Sequence, residues 1–307
     1  MILYTNHMTS EISVIILSWN RRRDIAELLR QLSKQTFKNF ETIVVDNASE
    51  DDTVSFLRKN YPRVKIIRTS KNLGLFSKNY GIEKAKGEYV ILLDSDTFIQ
   101  KDCVEKFVQK FKYNKNLGLA CASVFEYKTN KYLGPNRALN GDNKLGYNTC
   151  FFNGSAFALR KKVFKKTGGW SKEYFMCLEE LYLAARILEA GFDIRCFTDI
   201  VVCNKKSDKG GEYRKKLGFW YSRNWIWFYI EFLPLNKIPS FLFLHLKSAK
   251  NYADSGSMKK RDYFFGILAG VAGAPKFLLR RKPVNDRTLQ KIKLDLFPNS
   301  KHLYTRF

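Results

Sequence analysis

Asp94-Ser95-Asp96 stands directly behind the run Glu88-Tyr89-Val90-Ile91-Leu92-Leu93, so two carboxylates one residue apart close a predicted buried strand. Acids spaced in this way can hold a hard divalent cation against a diphosphate, because Mg²⁺ is bound through one or two carboxylates, phosphate oxygens and water. The plainer alternative is a strand-ending turn with solvated acids, and Asp-x-Asp alone does not separate the two. A second pair, Glu179-Glu180, follows Gly168-Gly169-Trp170 and Tyr174-Phe175-Met176. It opens a segment with Leu183, Ile187 and Leu188 on one helical face, where the helix dipole also favours acids.

These residues need elements to position them. Ser13 to Ser18 reads as a first buried strand ending at Trp19-Asn20, and Asp24 to Gln35 carries Ile25, Leu28, Leu29 and Leu32 at helical spacing. Glu41 to Val45 is a second strand ending in Asp46-Asn47-Ala48-Ser49, with a helix starting at about Asp51. Val64 to Ile67 is a shorter strand, Asn72-Leu73-Gly74 a turn, and Ser77 to Lys86 a helix closed by Gly87 before the strand that leads to Asp94. The βαβαβαβ order predicts an α/β fold with a mostly parallel central sheet. It aligns Trp19-Asn20, Asp46 and Asp94 to Asp96 along one carboxyl edge, where open α/β sheets bind ligands.

The segment from Ser13 to about Gly191 resembles a family 2 glycosyltransferase of the inverting GT-A type. The resemblance is carried by Val14-Ile15-Ile16-Leu17-Ser18-Trp19-Asn20, Gln35-Thr36-Phe37, Val44-Val45-Asp46-Asn47-Ala48-Ser49, Asn72-Leu73-Gly74 and Asn79-Tyr80-Gly81-Ile82. Gly87-Glu88-Tyr89-Val90, Leu93-Asp94-Ser95-Asp96, Asn153-Gly154-Ser155-Ala156, Gly168-Gly169-Trp170 and Glu179-Glu180 complete it. It implies a nucleotide-sugar donor site formed by Ser18, Trp19, Asn20, Asp46, Asn72, Gly74, Lys78, Asp94 and Ser95. It further implies Mg²⁺ or Mn²⁺ on Asp94 and Asp96, and a donor or acceptor pocket at Gly154, Gly169 and Trp170. Asp46 would accept hydrogen bonds from a pyrimidine N–H or a ribose hydroxyl, its alternative role being a helix cap in an Asx turn. Lys78 would reach phosphate, or stay a solvated helix lysine. Relatives commonly read Glu-Asp where this chain has Glu179-Glu180, and the second acid is their general base. Glu180 is chemically competent for that role, with Glu179 as the substitute.

The chain departs from the family pattern at two positions. Tyr182 stands where many relatives carry a further acid, and Asn204, after Val201-Val202-Cys203, stands where many carry a His. In place of that His as an extra metal or diphosphate ligand, Asn204 offers an amide oxygen, and Lys205, Lys206 and Lys209 are available to pair with the diphosphate. The runner-up function is therefore a catalytically inactive relative acting as a membrane- or partner-binding scaffold. A nucleotidyltransferase is disfavoured because Arg21-Arg22-Arg23, after the first strand, has no glycines with it.

The chain has 307 residues, 54 Lys and Arg against 29 acids, and a net charge of +25, which calls for an acidic partner or surface. No zinc-ligand spacing, RNA-binding motif or basic-helix dimerisation pattern accompanies the charge, so nucleic acid is set aside. An anionic membrane surface fits better. Trp220, Tyr221, Trp225, Trp227, Phe228 and Tyr229 crowd beside Arg214, Lys215, Lys216 and Arg223. Glu231, Pro234, Asn236, Lys237 and Pro239 interrupt the apolar run from Trp225, and the stretch Tyr263 to Leu279, bracketed by Lys259-Lys260-Arg261 and Arg280-Arg281-Lys282, falls short of a span. The expected organisation is a catalytic domain over 11–210, its nucleotide-sugar half 11–100 and acceptor half 101–210, followed by a helical basic and aromatic extension over 211–307. Six scattered cysteines and no cleavable signal peptide point to cytosolic thiols, hence to a protein held peripherally at the inner face of the cell membrane. The stretch Trp220 to Phe228, with Arg223-Asn224, resembles the tail of rhamnosyltransferase-like members, implying a UDP- or dTDP-linked sugar and a lipid-linked or glycan acceptor.

Overall fold

The computed structural model of the chain describes residues 11–133, 146–205, 216–243, 245 and 259–296. Lys206, Lys209, Arg214, Lys215 and the start of the C-terminal extension at 211 lie outside them. Strands β1 (Ile12–Ser18), β2 (Phe40–Asp46), β3 (Lys65–Arg68) and β4 (Tyr89–Asp94) alternate with helices α1 (Arg22–Ser33), α2 (Thr53–Asn60) and α3 (Lys78–Lys84), in the order expected. Then come β5 (Thr97–Ile99), α4 (Cys103–Tyr113), β6 (Leu117–Glu126), β7 (Tyr147–Asn148), β8 (Ala156–Arg160) and α5 (Lys161–Thr167). Helix α6 (Glu179–Glu189), β9 (Asp193–Asn204), α7 (Leu217–Phe232), α8 (Lys260–Leu279) and α9 (Asp286–Leu296) complete the series.

The strands form one sheet ordered β3-β2-β1-β4-β8-β6-β9-β5, with β7 against β9. From β3 to β4 all neighbours are parallel. Beyond β4 the sheet is mixed, since β8 runs antiparallel to both β4 and β6 while β6 and β9 are parallel. The parallel expectation therefore holds from β3 to β4 and, beyond β4, for β6 with β9. Strand β5 follows β4 after two residues, too few for the crossover that parallel pairing requires, and it pairs antiparallel with β9.

The core forms because β1 and β4 are apolar on both faces: Ile12, Val14, Ile15, Ile16 and Val90 to Leu93 are all buried. Helix α1 covers one face with Ile25, Leu28, Leu29 and Leu32, the one-face spacing read from the sequence. Each such side chain contributes about 1.5–3 kcal/mol on burial. Gly87 enters β4 so close to β1 that a Cβ there would lie 2.6 Å from the Ile12 carbonyl carbon and the Ser13 nitrogen. Its N–H donates to Ser13 Oγ at 2.9 Å.

The chain divides into two compact units, and the division differs from a single cut at 210. Residues 149–152 and 170–191, which include Glu179 and Glu180, group with the C-terminal helices. Aromatic packing within this second unit accounts for the grouping. Tyr174 packs on Tyr182, Trp227 and Phe277, and Tyr182 on Phe232. Helix α8 meets α7 along Gly266, Gly270 and Gly273, where a Cβ would strike Ser222, Ile226 and Trp227. Trp227 Nε1 donates to Gly270 O at 3.0 Å. Ion pairs finish the unit: Glu173 binds Lys276 at 2.6 Å and Arg280 at 3.3 Å, and Arg280 also binds the buried Glu231 at 3.1 Å. Burial alone would raise the Glu173 carboxyl, but the bonds from Lys276 and Ser171 outweigh it and hold it at about 2.

Two outcomes follow for stability. Gly87→Ala forces β1 and β4 apart and is expected to cost about 1–3 kcal/mol in urea denaturation. Because the Glu173 carboxyl is depressed from its ordinary 4.5, its contribution is full above that value and is lost as pH falls toward 2. Glu173→Gln should lower the melting temperature at pH 7 and flatten its dependence across that window.

Candidate active site

Register places Ser18 opposite Asp46, Leu17 opposite Asp94, and Asp46 opposite Arg68, so the parallel strands end at one level. Asp46 is fully buried. Its Oδ2 accepts the Ser49 N–H at 3.1 Å and lies 3.4 Å from Arg68 Nε. Its Oδ1 is buried and has no hydrogen-bond partner among the described residues, and the same holds for Ser18 Oγ. One carboxylate oxygen thus makes the turn expected of an Asx cap while the other stays available. Buried acceptors without partners are costly, and two of them at one strand edge mark where ligand donors belong.

The loops around this edge are braced by amides. Asn20 and Ala48 both adopt positive φ, 54° and 64°. Asn20 N–H donates to Ser49 Oγ at 2.9 Å, and Asn20 Oδ1 accepts the Glu50 N–H at 2.8 Å, so its side chain ties the first two strand-end loops together. Trp19 beside it is half-buried. Asn72 Oδ1 accepts from Asn47 Nδ2 at 2.7 Å and from Gly74 N–H at 2.9 Å, while Asn47 Oδ1 accepts the Leu73 N–H at 2.9 Å and the Ser77 hydroxyl. Asn72 and Gly74, the latter at φ 62°, shape the crossover loop. Asn47, read from the sequence as a turn residue within the Val44 to Ser49 segment and not as a site residue, joins the second strand end to the crossover loop.

The acid pair is surrounded by cations and amides. Lys78 is not a solvated helix lysine: it is fully buried, with Nζ 2.9 Å from Asp94 Oδ1 and 2.9 Å from Gly154 O. Its charge is committed to Asp94. Ser95 is buried and its N–H donates to Leu17 O at 3.1 Å. Asp96 Oδ2 lies 3.5 Å from Arg21, and its Oδ1 accepts from Asn204 Nδ2 at 3.1 Å. Asn204 Nδ2 also donates to Ser155 Oγ at 3.1 Å, so the amide nitrogen links Asp96 to Ser155. Lys205 Nζ binds Asp24 at 2.7 Å, and Arg21 binds the same carboxylate at 3.2 Å. Burial would raise Asp24, but these two cations pull it below the ordinary range. Burial, and then the charge of Asp94, push Asp96 up against the pull of Arg21.

The residues present fit a divalent cation. The donors are hard oxygens, the like-charge repulsion at Asp96 exceeds what Arg21 relieves, and a cation would remove it. No group of three or more His, Cys, Asp or Glu that could hold a metal ion stands among the described residues, so any cation on Asp94 and Asp96 would take its remaining ligands from diphosphate oxygens and water.

In the second unit, α6 begins at Glu179, with Glu179 buried and Glu180 half-exposed. Of the two carboxylates, Glu180 is the more accessible. The helix is entered through Cys177 and Leu178 at φ 68° and 65°, left-handed geometry that costs about 1–3 kcal/mol for each non-glycine residue. Tyr182 is a packing residue, its ring tilted against that of Tyr174 with centroids 4.8 Å apart. Trp170 is buried. In the first unit, Gly168 closes α5 at φ 78°, and at Gly169 a Cβ would strike Phe164 and lie 2.5 Å from Asn79 Oδ1.

Comparison with known proteins agrees with this geometry. Residues 13–168 match the family model described as Glycosyl transferase family 2. A Haemophilus influenzae protein described as an uncharacterized glycosyltransferase is 31% identical over 173 residues, 52% of this chain and 56% of that protein, so the match spans little more than half of its length. Residues 1–349 of S. aureus TarS superpose with a TM-score of 0.61 at 18% identity, covering 93% of this chain and 85% of that one. The Pyrobaculum calidifontis mannosyltransferase PcManGT, solved with GDP-Man and Mn²⁺, superposes with a TM-score of 0.58 at 16% identity, covering 97% and 88%. At those identities the likeness speaks to fold, and the fold is of the GT-A type. With half of its length matched and the acid-bearing strand ends in register, the chain belongs to glycosyl transferase family 2.

Proposed function

We propose that this chain transfers a sugar from a UDP- or dTDP-linked donor to a hydroxyl of a lipid-linked or cell-surface glycan, with metal dependence and with inversion. The observation that carries the reading is the pair of buried, unpartnered acceptors, Asp46 Oδ1 and Ser18 Oγ, on the same strand edge as Asp94 and Asp96. Asp46 accepts hydrogen bonds from the base or ribose. Asp94 and Asp96 would hold Mg²⁺ or Mn²⁺, which would supply neutralisation of the charge on the departing nucleoside diphosphate. Arg21, already 3.5 Å from Asp96, adds positive charge at the same edge. Glu180 takes the proton of the acceptor hydroxyl, whose oxygen bonds to the anomeric carbon as the bond to the diphosphate breaks. A single displacement of this kind inverts the centre. PcManGT, of the same fold, was solved with the nucleotide sugar GDP-Man and Mn²⁺, which supports a nucleoside-diphosphate sugar handled with a metal but not the choice of UDP or dTDP.

The same proposal places the protein at the cytoplasmic face of an anionic membrane, where the acceptor is held. Helix α8 is, by length and composition, the one helix among the described residues able to cross a membrane, so the shortfall expected from the sequence is not met. Its glycine face is committed to α7, however, and Phe264, Phe265, Leu268, Val271, Leu278 and Leu279 are exposed. Lys259 to Arg261 precede this exposed apolar face and Arg280 to Lys282 follow it, the composition that suits a helix lying in the interface.

Two measurements test the reading. Calorimetric titration with UDP, dTDP and GDP, each with and without Mn²⁺, is expected to show metal-dependent binding of one nucleotide. Asp96→Ala should weaken it by about 100-fold, or about 2.8 kcal/mol. Binding of none of the three would leave the scaffold as the function. In flotation with phosphatidylserine-containing vesicles, the protein should rise with the lipid and Leu268→Glu/Val271→Glu should not. High salt should weaken the association, and equal flotation of both proteins would remove α8 from the membrane role.

A further inference from the structure

Helix α6 starts without any of the usual devices. Leu178 occupies the N-cap position and makes no side-chain cap bond, and it follows Cys177 in a pair of left-handed residues, neither of them glycine or asparagine. A turn of this shape does not hold itself and must be held from outside. The holding group is on α7. Asn224 is fully buried, and its Nδ2 donates to Met176 O and to Cys177 O, both at 2.7 Å. These are the two carbonyls that lead into Leu178.

The amide is itself fixed. Asn224 Oδ1 accepts from Arg223 Nε at 3.0 Å and from its terminal nitrogen at 2.8 Å. That terminal nitrogen also donates to Glu173 O at 2.7 Å, and the guanidinium lies over the rings of Trp227 and Trp220, 4.0 and 4.5 Å from their centroids. Both amide hydrogens and the amide oxygen are therefore used, in a single orientation. Asparagine is a poor helix former, and α7 is otherwise rich in buried aromatics, so its own stability gives no reason for a buried amide at this position. The reason lies in the segment from Glu173 to Leu178, which Arg223 grips at one end and Asn224 at the other.

We propose that Asn224, oriented by Arg223, is a positioning residue for Glu180: by holding the Cys177-Leu178 turn it sets the direction in which the first turn of α6 presents its carboxylate. The inference rests on Glu180 being the proton acceptor. Loss of the amide lets Leu178 return to negative φ, and the first helical turn swings with it.

The test uses the full chain carrying Asn224→Ala, with Asn224→Ser as the second variant should the first not fold. One readout needs no substrate. Cys177 and Cys203 are both partly exposed, so iodoacetamide labelling followed by peptide mass analysis compares the turn with an internal reference in the other unit. Labelling of Cys177 relative to Cys203 should accelerate by about tenfold or more, since an opened turn exposes the thiol. An unchanged ratio overturns the proposal, whether or not a donor substrate is found. The second readout is release of nucleoside diphosphate from UDP-N-acetylglucosamine and from GDP-mannose. With whichever turns over, kcat should fall by about 100-fold with little change in the donor KM. In a Glu180→Gln background the same substitution should cost nothing more, because residues acting as a unit are not additive. Additive losses would mean that Asn224 does not act through Glu180. Full turnover by Glu180→Gln alone overturns instead the assignment of the base, and the labelling ratio then reports on the turn by itself.

Discussion

Charge in a poorly solvated place is the constraint around which the first unit is arranged. Strand β4 and the link that follows it bring two carboxylates to the edge of a sheet with a largely apolar interior, where ionised groups need partners. Lys78 answers Asp94 with a fully buried ammonium, so removing Asp94 would leave that charge buried without its ionic partner. Arg21 and Asn204 answer Asp96 less completely, which leaves its carboxyl raised by burial and by Asp94. Asp94 thus has a buried cation as its partner, while Asp96 keeps a carboxyl raised by burial and by its neighbour.

Backbone geometry follows the same division between settled and unsettled groups. Asn20 and Ala48 take left-handed conformations at strand ends, and Cys177 and Leu178 do so at the entry to α6. Each is held by polar contacts that the sheet or the helices make rigid: Asn20 by Ser49 and Glu50, the Cys177-Leu178 turn by Asn224. Strained backbone persists only where its surroundings over-determine it, and here it borders Asp46 at one strand end and Glu179-Glu180 at the start of α6.

In the second unit, glycines and aromatics divide the labour. Gly266, Gly270 and Gly273 let α8 lie close against α7, and Trp227, Tyr174 and Phe277 fill the space around them. Arg280 joins the buried Glu231 to Glu173, so the helices and the segment preceding α6 share one ionic network. Having spent its small residues on α7, α8 presents large apolar side chains outward.

Periodicity in the sequence determined the alternation of strands and helices, the buried strands β1 and β4, and the level at which Ser18, Asp46, Asp94 and Asp96 end. Apolar runs on a period of two or 3.6 encode local structure directly, and parallel strands of matched length end together. The mixed second half of the sheet was not legible, because antiparallel pairing of β5 and β8 is decided by chain reversal and not by local pattern. The grouping of Glu179 and Glu180 with the C-terminal helices was hidden for a similar reason: it depends on Tyr174 and Tyr182 finding Trp227, Phe232 and Phe277, residues more than 40 positions away. Side-chain roles diverged most where a polar group is buried. Lys78 reads as either a phosphate contact or a solvated lysine, yet its burial requires partners for the ammonium, and Asp94 and Gly154 O, which supply them, are brought to it only by the folded chain.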